Sequence, residues 1–78
     1  RPYVDTLKGS AYKNLKELRV QHDGSPYRIL FAFDPQRQAV LLIGGNKGGD
    51  KRWYDVNIPI AERRFAKYLE ETNGGEFL

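Results

Sequence analysis

Cysteine is absent from the 78 residues, and histidine occurs once, at His22. Without thiolates there is no disulfide staple and no cysteine-based metal site. One imidazole supplies too few ligands for a histidine zinc centre. It also rules out a second histidine for acid–base catalysis, and no Ser-His-Asp set can be assembled around it. No apolar run approaches the ~18 residues of a membrane span. No secretory signal pattern opens the chain. These absences fit a reducing, cytoplasmic setting, and no cofactor is expected. Repeats and low-complexity segments are lacking too. A chain this short makes one small domain, residues 1–78, near the size at which a single core is marginal. It opens on Arg1-Pro2 rather than Met, which reads as a fragment or processed product.

What is present is charge, unevenly spread. The net charge is +3. From Lys8 to Arg52 nine basic residues stand against four acidic ones, whereas from Trp53 to Leu78 three basic stand against five acidic. The first two thirds are therefore the cationic part, a pattern that suits a polyanionic partner.

Residues 1–14 read as a lead-in, with Pro2 breaking regularity and Lys8–Ser10 marking a turn. Leu15–His22 alternates, with Leu18 and Val20 on one face and Glu17, Arg19 and Gln21 on the other, as a half-buried strand does. Asp23–Pro26 is a turn. Tyr27–Phe33 is rich in strand formers and nearly all apolar. Asp34–Arg37 is a second turn, with Pro35 suited to its first central position. Ala39–Gly44 is a third strand, apolar on both faces. The pattern predicts an antiparallel meander followed by a C-terminal helix, with apolar positions at Ile58, Ala61, Phe65, Tyr68 and Leu69 and a stop at Asn73–Gly75. Pro59 fits a first helical turn, or kinks a helix that starts near Lys51. One helix covers only one sheet face. A preceding segment, a partner or a second copy is expected on the other, with self-association as one outcome.

If Asp23–Pro26 is a four-residue loop, Arg19 faces Leu30, and Arg19 and Arg28 emerge on one side as diagonal neighbours. A register shifted by one residue would separate them. They are either two solvated strand arginines or a guanidinium clamp for phosphate. The glycine-rich stretch Gly44–Asp55 matches neither a P-loop, since Asp50 stands where the lysine belongs, nor a dinucleotide fingerprint. Its glycines read as a bend between strand and helix. Lys47, Lys51 and Arg52 lie close to Trp53 and Tyr54, and cations interleaved with aromatics suit single-stranded RNA. The plainer alternative makes Trp53 a core residue. Arg63-Arg64 and Glu70-Glu71 look like a solvated helix face. Glu17 and Asp50 are the carboxylates nearest the basic set.

The order of "KELRV", "YRILFAFDP" and "GNKGGDKRWY", spread from Tyr3 to Glu71, resembles the HigB-like (phage Gp49-like) branch of the RelE/ParE toxin superfamily. The resemblance implies an α+β fold: a three- to four-stranded antiparallel sheet with a C-terminal helix, preceded in the family by a strand and two helices that this chain lacks. It implies a ribosome-dependent endoribonuclease that cleaves mRNA without metal, neutralised by a HigA-like antitoxin. By position, Arg28 matches the arginine that stabilises the phosphate, and Tyr54 the tyrosine that stacks on or orients the nucleotide. Lys47, Lys51 and Arg52 lie where further catalytic cations are placed. Arg19 matches a basic strand position, and Lys16 and Trp53 complete the expected RNA-binding set. The general base stays unassigned. Two other readings stand beside this one: a ParE-like inhibitor of DNA gyrase, and a non-catalytic RNA-binding fragment.

Overall fold

The computed structural model describes residues 3–7, 10 and 14–76. Four strands, β1 (Tyr3–Thr6), β2 (Leu15–His22), β3 (Ser25–Phe33) and β4 (Ala39–Asn46), precede one helix, α1 (Trp53–Glu76). The strands form a single antiparallel meander in the order β1-β2-β3-β4. β1 lies inside the segment read as a lead-in. It pairs with β2 from Tyr3↔Arg19 to Thr6↔Lys16, and the Leu7 N–H extends the pairing to the Leu15 carbonyl. Of the turn expected at Lys8–Ser10, Lys8 and Gly9 lie outside the described residues.

The β2–β3 connection is tighter than a four-residue loop. His22 pairs with Ser25, so only Asp23 and Gly24 turn the chain. Both take positive φ, 50° and 77°, which is the type I′ geometry whose twist matches the flanking strands. The register moves accordingly. Arg19 lies directly opposite Arg28, not Leu30. Because the loop is shorter by two residues, the two arginines still share a face.

The second turn is as the sequence dictates. Pro35 sits inside a turn closed by the Arg37 N–H on the Asp34 carbonyl at 2.9 Å. The Asp34 carboxylate accepts the Gln36 and Gln38 N–H groups, and its other oxygen accepts the Tyr68 hydroxyl at 2.8 Å. The turn is thereby tied to α1.

β4 runs on to Asn46, two residues past the expected end, and Gly44 and Gly45 are strand residues rather than hinges. Gly45 lies beneath Trp53, where a Cβ would come into van der Waals contact with the indole, 3.4 Å from Nε1. Gly49, at φ +73°, is the glycine that the following turn needs. The β3–β4 register slips between Leu30 and Phe31, so that Leu30 pairs with Ile43 and Phe31 with Leu41. Leu42 is the extra residue of this bulge, and its carbonyl accepts a hydrogen bond from the Arg64 guanidinium at 2.6 Å. Arg64 therefore braces the bulge instead of merely facing solvent.

α1 starts at Trp53, and Pro59 lies inside it. The Asp50 carboxylate accepts the Arg52 N–H at its threshold, relieving one of the unpaired donors of a helix N-terminus. The expected stop at Asn73–Gly75 is overrun, since the helix continues to Glu76. A helical glycine costs about 1 kcal/mol against alanine, which weakens a helix without forbidding it.

The helix lies over β3 and β4. Between them sits the core of Leu30, Ala32, Leu42, Trp53, Ala61 and Phe65, joined by Leu7 and Leu15. Leu15, Leu30 and Phe65 are the largest fully buried side chains. The covered face of β2 is the one that carries Leu15, Glu17 and Arg19, not the one with Leu18 and Val20, because Leu15 and Glu17 pair with Ala32 and Leu30 of the core. Glu17 is 5% exposed. Among the described residues no helix covers the opposite sheet face, where Val4, Phe33 and Leu41 are exposed. β4 is apolar on both faces yet lies at the sheet edge, where Leu41 is 71% exposed.

Candidate functional site

Three elements meet where β2 passes beside the start of α1. β2 supplies Glu17 and Arg19, two apart and so on one face. β3 supplies Arg28, directly across from Arg19. The helix supplies Tyr54, one residue into α1. Two guanidinium groups side by side repel each other unless an anion lies between them. Glu17 is that anion. Its Oε1 accepts the Tyr54 hydroxyl at 2.6 Å, and Arg19 reaches both carboxylate oxygens at 3.3 Å. Arg28 Nε lies 3.8 Å from Glu17 Oε1 and donates to the Tyr54 hydroxyl oxygen at 3.2 Å. A second Arg28 nitrogen donates to the Tyr27 carbonyl at 3.0 Å, which leaves the guanidinium little freedom to turn.

Burial grades across the cluster. The Glu17 side chain is 6% exposed, that of Arg28 15% and that of Arg19 40%. The carboxylate is the floor and the arginines rise to the rim. Burial first, and then the bond to Glu17, push the Tyr54 phenol above its ordinary range, while Arg28 pulls the other way. Tyr54 is therefore a protonated donor at neutral pH. Lys47 Nζ lies over its ring, 5.6 Å from the centroid, within reach of a cation–π attraction.

Of the residues singled out in the sequence, Arg19, Arg28, Lys47 and Tyr54 come together. Lys51 and Arg52 are exposed at the helix threshold, and no side-chain contact links them to the cluster among the described residues. Lys16 is not on this face. Its register partners are Thr6 and Phe31, and its ammonium donates to Thr6 Oγ1 at 3.2 Å. Trp53 is 6% exposed and packs over Gly45 in the core, so the structure places it as the plainer alternative had it. His22 is exposed beside its turn, 3.2 Å from Asp23. Among the described residues no group of three or more His, Asp or Glu side chains could hold a metal ion, and no helix is long and apolar enough to cross a membrane.

The residue that sequence reasoning undervalued is Glu17. Its signal was the i, i+2 spacing to Arg19 in "KELRV". Taking the Leu18/Val20 face as the buried one hid it. A recess of about 330 Å³ opens beside it, lined by Asp5, Thr6, Leu7, Glu17, Arg19 and Tyr54. This gap lies where α1, which packs over β3 and β4, leaves β2, with the Tyr54 hydroxyl reaching across to Glu17.

A small meander covered on one side by a helix, with a carboxylate, two arginines and a tyrosine gathered at the helix start, is a single α+β unit built around a polar site. The family described as Phage derived protein Gp49-like matches residues 1–66, and the chain belongs to that family. It is 55% identical over 76 residues to "Putative toxin HigB3" of Mycobacterium tuberculosis, an alignment covering 96% of this chain and 65% of that protein. It is 53% identical over 72 residues to "Putative toxin HigB2" of the same organism, covering 90% of this chain and 36% of that one. The chain thus spans under two thirds of the length of each of these relatives. No solved structure matches it.

Proposed function

We propose that the protein is the toxin of a type II toxin–antitoxin pair and that it cleaves mRNA on the ribosome until a cognate HigA-like antitoxin neutralises it. Family membership and the likeness to two proteins named as toxins support the first part. The observation that carries the second is the Tyr54–Glu17 contact at 2.6 Å, set between Arg19 and Arg28.

RNA cleavage of this kind is attack of a ribose 2′-oxygen on the adjacent phosphorus. The P–O5′ bond breaks, leaving a 2′,3′-cyclic phosphate and a 5′-hydroxyl. The 2′-OH must lose a proton, the pentacovalent phosphorane must be stabilised, and the departing 5′-oxygen must gain a proton. Glu17 is the acceptor for the first proton. Arg28 and Arg19, with Lys47 beside them, face the developing charge, where paired guanidinium donors fit phosphate oxygens. The Tyr54 hydroxyl, which burial keeps protonated, gives its proton to the leaving oxygen. The short bond to Glu17 then returns the proton taken from the 2′-OH, so the cycle closes without net change in the protein.

Translation of a defined mRNA in a purified system, with new 5′ ends mapped by primer extension, tests this. New ends are expected within the coding region, and Glu17→Gln, Arg28→Ala and Tyr54→Phe should abolish most of them. If wild-type protein leaves the message intact while arresting DNA supercoiling in a gyrase assay, the nuclease reading falls and the gyrase reading takes its place.

A further inference from the structure

The site is polarised across the strands. On the β3 side and above it lie Arg28 and Lys47. On the β1 side lie Asp5, directly opposite Glu17, and Thr6 and Leu7, which line the recess. A phosphate belongs at the cationic end. The β1 end repels it, because Asp5 and Glu17 both present carboxylates there. What suits the β1 end is an uncharged, flat group rich in hydrogen-bond donors.

The recess is about 330 Å³, at the lower end of the ~300–1,000 Å³ usual for ligand pockets, which suits one nucleoside rather than several. Leu7, 5% exposed, supplies an apolar wall, and the Tyr54 ring supplies an aromatic one. Asp5 Oδ1 accepts the Thr6 N–H at 2.8 Å. That bond fixes the carboxylate, and Oδ2 makes no hydrogen bond among the described residues.

We propose that this recess holds the nucleobase next to the reacting phosphate, that the base is guanine, and that Asp5 is the residue that selects it. Guanine is the common base whose Watson–Crick edge carries two adjacent donors, N1–H and the N2 amino group. A carboxylate offers two acceptor oxygens in the same plane, and charged acceptors make the stronger hydrogen bonds. Uracil presents one donor flanked by carbonyls that would meet Asp5 with like partial charge. The proposal rests on the nucleotide-binding reading of the same site, but binding alone tests it.

The four nucleoside 3′-monophosphates, together with inosine 3′-monophosphate, are titrated into the 78-residue protein and followed by amide chemical shifts. Inosine lacks only the N2 amino group. Guanosine 3′-monophosphate should bind about tenfold more tightly than the inosine and uridine compounds, the loss expected for one charge-assisted hydrogen bond. Its shifts should centre on residues 5–7. Asp5→Asn should level the guanosine and inosine affinities without weakening the uridine compound. Equal affinities for guanosine, inosine and uridine phosphates in the wild-type protein would overturn the proposal, whatever the variant does. Guanine-selective binding without RNA cleavage would leave the pocket assigned and remove the nuclease. Cleavage without base selectivity would do the reverse.

Discussion

The two halves of the helix-covered sheet face are built from opposite materials. Over β3 and β4, α1 seals Leu30, Ala32 and Leu42 beneath Ala61 and Phe65. Over β1 and β2 the same face carries Asp5, Glu17 and Arg19 around an open recess. One helix is too narrow to cover four strands, so the sheet is dry where the helix lies and wet where it does not. Tyr54 crosses the boundary, starting in the helix and ending on Glu17. Packing and polar site meet at neighbouring strands, Glu17 lying opposite Leu30, and substitutions on either side of that line should show it.

The largest effect belongs to the dry half. Phe65 is 1% exposed, and Phe65→Ala should destabilise the fold by about 3–5 kcal/mol, read from the urea midpoint. Site and core would then fail together. On the wet half, Glu17→Gln should lower the cleavage rate by about 10²–10⁴-fold, the usual contribution of a positioned general base, while the circular dichroism spectrum is kept. An unfolded Glu17→Gln protein would mean that the carboxylate holds the sheet together and that the two halves are not separable. Arg28→Lys keeps the charge and loses the fork, so a partial loss of activity at unchanged stability is expected.

A smaller effect lies at the far end of the dry half. Backbone bonds, that from Gln38 above all, and the Tyr68 hydroxyl hold Asp34 below the usual carboxylate range. Its folded value is depressed, so the stability it confers is complete above its ordinary titration near 3.8 and is lost as pH falls through the folded value. Acid unfolding followed by fluorescence should shift to higher pH in Tyr68→Phe, and the shift should disappear in Asp34→Asn. The smallest effect on stability is expected at Leu41, 71% exposed on the bare sheet face. Leu41→Lys should move stability by no more than about 0.5 kcal/mol. If this face pairs with a second copy, the same substitution should lower the apparent mass in sizing experiments.

The meander was legible because its turns are written in residues with few alternatives. Asp23-Gly24 admits positive φ twice, and Asp34-Pro35 preorganises the next reversal. The helical face from Ile58 to Leu69 was legible from spacing alone. What alternation could not reveal is which face of β2 the helix would choose. Leu18 and Val20 look like the buried set, but Leu15 is the residue at 0% exposure, and it drags Glu17 and Arg19 inward by parity. β1 was hidden for a different reason: four residues are too few for a periodic signal, and their strand character comes from pairing with β2. Gly44 and Gly45 misled because glycine is usually read for its flexibility, whereas both are paired strand residues here and Gly45 lies beneath Trp53. Residue spacing pointed to Arg28 and Tyr54, and the family resemblance supplied the roles expected of them. The carboxylate that joins them needed the register.

The bulge at Leu42 changes the rhythm of β4 partway along. Before it, Val40 pairs with Ala32 on the helix side, and after it Ile43 and Gly45 do the same with Leu30 and Arg28. With all eight residues paired regularly, Gly44 would have turned toward the helix and Gly45 away, moving the backbone that lies beneath Trp53 by one residue. Deleting Leu42 would flatten the bulge and keep this phase, since Ile43 would follow Leu41 into its place opposite Leu30; what would go is a buried core side chain and the carbonyl that Arg64 holds at 2.6 Å. The bulge takes up one residue so that the strand beside Trp53 keeps its register with β3.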